Sequence, residues 1–94
     1  MVSEERMDDY LDKTKKAMEK VKIIAPEHSH LYPIAKDFLE MVVSYYDDAV
    51  HFYEKGNIDN AFACVNYAHG WLDAGARFGL FDTGGDHELF TLAR

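Results

Sequence analysis

Apolar or small side chains recur at three- and four-residue spacing through Met7, Tyr10, Leu11, Thr14, Ala17, Met18, Val21 and Ile24, while most intervening positions are charged. The pattern predicts a first helix over residues 4–24. Pro26 ends it, because its ring disfavours helical geometry at Ala25, and Pro26-Glu27-His28-Ser29-His30 reads as a connection. A second stripe, Ile34, Ala35, Phe38, Leu39, Met41, Val42, Tyr45, Ala49, Phe52 and Tyr53, predicts a helix over 32–56, with Glu40, Ser44, Asp47, His51 and Glu54 on its other side. Pro33 falls in the first turn, where a missing N–H costs nothing, and Gly56 is the expected left-handed stop. Ile58-Asp59 reads as the next helix start, with Asp59 as N-cap and Ile58 stapled to Phe62. The third helix is predicted over 59–79, ending on Gly79. With so short a link, the second and third helices must be antiparallel.

Residues 80–94 form a tail: Leu80 and Phe81, a turn at Asp82-Thr83-Gly84-Gly85, then a short capped helix over residues 86–92. No segment repeats at a fixed period, which argues against a solenoid. The expected architecture is all-α, one domain, a three-helix bundle with a short C-terminal helix or tail.

The third helix carries a surplus of apolar surface. One ridge, Ala61, Val65, Ala68, Leu72, Gly75, Ala76 and Gly79, is rich in small residues that let helix backbones approach closely. A second ridge carries Tyr67, Trp71 and Phe78, with Ala63 and Ala74 alongside. Together they span roughly two-thirds of the circumference, against a stripe of little more than about 100° on an ordinary surface helix. Two arrangements would absorb the surplus. Either the tail folds over the aromatic ridge, or Trp71 and its neighbours form an oligomer or partner interface, where aromatic residues are enriched.

Composition narrows the partner. Seventeen acidic residues against ten basic give a formal charge of −7, which disfavours a polyanion such as nucleic acid. The lysine run Lys13, Lys15, Lys16, Lys20, Lys22 follows Glu4, Glu5, Asp8, Asp9 and Asp12, an order that complements the macrodipole of one helix. Asp9 with Lys13 and Asp12 with Lys16 fall at helical pairing distance, so a solvated helix face is the reading of this run. Cys64, among Ala61, Ala63 and Val65, reads as a small core residue. No apolar stretch is long enough for a signal peptide or a membrane span, which makes a cytoplasmic location, away from membranes, the expectation.

The polar residues carry weak chemical signals. Asp48-x-x-His51 and His69-x-x-x-Asp73 each place a carboxylate and an imidazole on one helix face, and the hairpin brings His69 near the level of Asp48. Two-helix metal sites use inward-facing Glu-x-x-His pairs, and His51 points away from the stripe, so no metal and no cofactor is expected. The structural role is favoured: His69 bonded to Asp73 or to the second helix, and Asp73 paired with Arg77. His28 and His30 lie in a loop. No nucleophile elbow, phosphate-binding glycine loop, Cys-x-x-Cys or dinucleotide fingerprint is present. Ser29, Ser44, Cys64, Thr14, Thr83 and Thr91 have no evident base, so no catalytic residue is assigned.

The string Tyr45-Tyr46-Asp47-Asp48-Ala49-Val50-His51-Phe52-Tyr53-Glu54-Lys55-Gly56-Asn57, then Ala61, then Tyr67-Ala68-His69-Gly70-Trp71-Leu72-Asp73-Ala74-Gly75 and Gly79, resembles an archaeal family of small helical proteins, the domain of unknown function 357. The resemblance covers about the last two-thirds of the chain and, more loosely, the first helix. It implies a three-helix bundle and an archaeal, cytoplasmic origin, and it implies no activity. Its motif positions mark Tyr46, Asp48, His69, Trp71 and Asp73 as candidate functional residues; the aromatic ridge adds Tyr67 and Phe78. A similarity to helical bundles of the HEPN type stops at the motif, since Arg77 and His87 are separated by the Gly84-Gly85 turn. The functional expectation is a non-enzymatic protein-interaction module, its partner a second copy or another protein. The alternative is a metal- or nucleotide-dependent enzyme using His69, Asp73 and Asp48.

Overall fold

Ser3 accepts the backbone N–H of Arg6 at 3.1 Å and starts α1 (Glu4–Lys20), whose first turn is acidic and whose last turn carries Lys20. The structure, a computed structural model, describes residues 3–85. After α1 come β1 (Lys22–Ile23), α2 (Leu31–Glu54), α3 (Ile58–Phe78) and β2 (Phe81–Asp82). Lys16 and Asp12 pair at 2.9 Å along α1.

The first helix is shorter than its apolar spacing predicts. Val21 turns extended, at φ −69° and ψ 145°, and Lys22 and Ile23 pair antiparallel with Asp82 and Phe81. Ile24 N–H donates to the Leu80 carbonyl at 3.0 Å. The segment from Val21 to Ile24 is β-branched at three of its four positions, which suits extended backbone, and the tail supplies the strand partner. A two-residue ribbon has little stability of its own, so Leu80 and Phe81, both buried, anchor it. The tail therefore begins with a strand, not a helix. The helix expected over residues 86–92 lies outside the described residues.

At the α2–α3 turn, Gly56 takes φ +80°, its N–H donates to Tyr53 O at 3.0 Å, and Asn57 N–H donates to Phe52 O at 2.9 Å. This Schellman arrangement satisfies the last carbonyls of α2. The Asn57 side chain then accepts the N–H of Asn60 at 3.4 Å, so Asn57, not Asp59, is the N-cap of α3. Asp59 sits in the first turn, where its charge still favours the helix N-terminus. Ile58 is helical, not a preceding staple, yet packs in one cluster with Phe62. Gly79 ends α3 in left-handed conformation, as expected.

α2 and α3 make the most extensive pairing in the fold, and α1 lies against both. Ala35, Ala49, Ala61 and Ala68 are fully buried. Around them, Val42, Leu72 and Ala17 form one cluster, Met7 and Val65 a second, and Ala25, Leu80 and Phe81 a third. Among the described residues no helix is long and apolar enough to cross a membrane.

The third cluster explains Gly75. A Cβ at that position would overlap the Phe81 ring, so the glycine is the seat on which the tail docks. Gly75→Ala gains helix propensity yet is expected to lose about 1–3 kcal/mol of stability by overpacking this seat. A urea melt of that variant checks the expectation, and an unchanged or raised midpoint would contradict it.

Candidate functional site

The periphery of α3 divides into three sectors. Ala61, Ala68, Leu72 and Gly75 are buried in the core clusters or under Phe81. His69 turns toward α1, where its ring meets Thr14. The remaining sector, Ala63, Asn66, Tyr67, Gly70, Trp71 and Ala74, lines a shallow apolar groove of about 560 Å³, and Phe78 stands one turn beyond. Tyr67 is 63% exposed and Phe78 75%. α2 props the rings from one side: Phe38 meets Trp71 edge-on at 4.9 Å, and Tyr45 stacks on Tyr67 at 5.3 Å. None of the six lining residues is charged. The tail does not reach this face within the described residues, since Leu80 and Phe81 pack against Ala25 and Ala35 instead.

Gly70 lies open in the middle of this sector. A Cβ there would meet nothing within 4 Å. A glycine inside a helix costs about 0.5–1 kcal/mol relative to alanine. Gly75 offsets that cost through the Phe81 ring, whereas packing within the single chain gives Gly70 no such return. A second groove, of about 540 Å³, runs past Ile23, Leu39 and Val43, but Lys36, Glu40 and Asp47 give it a charged lining.

The polar candidates scatter. Thr14, only 1% exposed, places its hydroxyl 3.2 Å from His69 Nδ1, and His69 Nε2 lies 3.9 Å from Asp73 Oδ1. This hydroxyl, imidazole and carboxylate run between α1 and α3. The hydroxyl is too enclosed to meet a substrate, so the arrangement acts as a tie between helices. His69 was expected to bond Asp73 or α2; its ring approaches Asp73 and also Thr14 on α1. Asp48 is exposed and its charge falls on Cys64, whose thiol is pushed up chiefly by burial and then by that carboxylate. Burial also raises Tyr46, helped by the negative charges of Asp12, Asp47 and Glu19. His51 is exposed, with its ring near Phe52. Among the described residues, no three His, Cys, Asp or Glu side chains gather so as to hold a metal ion.

Sequence reasoning missed two contacts. Thr14 was read as a small member of an apolar stripe and as a hydroxyl with no evident base, whereas His69 Nδ1 lies 3.2 Å from it. A lone hydroxyl in such a stripe needs a buried partner, and that requirement was the available signal. Tyr53 donates to Asp8 Oδ1 at 2.5 Å, joining the end of α2 to the start of α1, and nothing in the local pattern marks it.

These features define a small helical protein in which a tight helical hairpin is clasped by an N-terminal helix and a strand-forming tail. The sequence model of a family described as protein of unknown function (DUF357) matches residues 9–81, and the chain belongs to that family. The match thus includes both Gly75 and the Phe81 ring seated on it. No curated protein and no solved structure matches the chain.

The bond to Asp8 pushes the Tyr53 hydroxyl up to about 12 from an ordinary 10.0, with burial and the negative charges of Asp8 and Glu4 adding to it. The raised value means the bond supports the fold below the unfolded-chain value, and that support fades as pH rises from about 10 to about 12. An ultraviolet tyrosinate titration is expected to show a late-titrating tyrosine that disappears in Tyr53→Phe; an identical late phase in the variant would refute the assignment. For the Thr14 to His69 contact, a double-mutant cycle of Thr14→Val with His69→Phe is expected to give a coupling of about 0.5–1.5 kcal/mol. Coupling near zero would remove the tie from the list of stabilising contacts.

Proposed function

We propose that this protein is a non-enzymatic interaction module that self-associates through the outer face of α3. The observation that carries this reading is an open apolar groove lined by Ala63, Asn66, Tyr67, Gly70, Trp71 and Ala74, none of them charged, with the exposed Phe78 ring one turn beyond. Exposed apolar patches of this kind characterise protein-binding surfaces, and the aromatic residues in them supply most of the binding energy. A formal charge of −7 disfavours a polyanion as the partner. An archaeal, cytoplasmic setting belongs to the same proposal and is carried by the family resemblance alone.

The enzymatic alternative asks His69, Asp73 and Asp48 to work together. The first two lie 3.9 Å apart, but His69 engages the enclosed Thr14, and Asp48 is exposed on α2 with its charge on Cys64. That reading has the weaker support.

Sedimentation velocity over a range of protein concentrations tests the proposal. The wild-type chain is expected to shift toward dimer as concentration rises. Tyr67→Glu and Phe78→Glu, at positions already exposed in the single chain, are expected to stay monomeric with thermal transitions close to wild type. A wild-type protein that is monomeric throughout would overturn self-association.

A further inference from the structure

We draw no further inference here: the strongest candidate, the groove beside β1 and α2 with Ile23, Leu39 and Val43 on its apolar side, has charges of both signs in its lining at Lys36, Glu40 and Asp47, and nothing in the structure shows what covers it.

Discussion

The contact on which the rest of this fold depends is the seam between α2 and α3. Ala35, Ala49, Ala61 and Ala68 are fully buried, and side chains this small let two helix backbones run close together. That closeness fixes the other placements. α1 has only the outer shoulders of the pair to rest on, where Met7, Thr14 and Ala17 are buried. The tail has only the end of the seam, where Gly75 leaves room for Phe81. Because α1 occupies one side, the opposite flank of α3 is left with its aromatic residues outward.

The two helical glycines show how one residue type serves two purposes. Gly75 is explained within the chain by the ring that lies on it, and the strand pair is held in place by the same contact. Gly70 has no such neighbour. It bears the entropic cost of a helical glycine at an open site, with no return from packing inside the chain. The function proposed for this member of the DUF357 family grows from that asymmetry.

Much of the architecture was legible in the sequence because it rests on local rules. Three-four spacing located all three helices, Gly56 and Gly79 marked the helix stops, and the short link made the hairpin antiparallel. The misreadings have non-local causes. Val21 and Ile24 continue the helical spacing of α1, so only the presence of Leu80 and Phe81 from the far end of the chain reveals that this segment is extended. Asn57 was passed over as a cap because it also closes the turn after Gly56, and one residue serving both helices is a matter of geometry. The aromatic face was legible from its surplus alone. The Thr14 contact with His69 was not, because it joins residues on different helices and depends on how α1 is rotated against α3.

The connection at Asn57 leaves the hairpin no slack. One residue donates its N–H to the end of α2 and, with its side chain, accepts from the start of α3, so both helix termini are written into a single position. Adding a residue there would rotate α3 by about 100° about its own axis. The alanines would leave the seam, and the rings of Tyr67 and Trp71 would be driven toward a gap shaped for methyl groups. This corner therefore acts as the ratchet that decides which side of α3 the solvent sees.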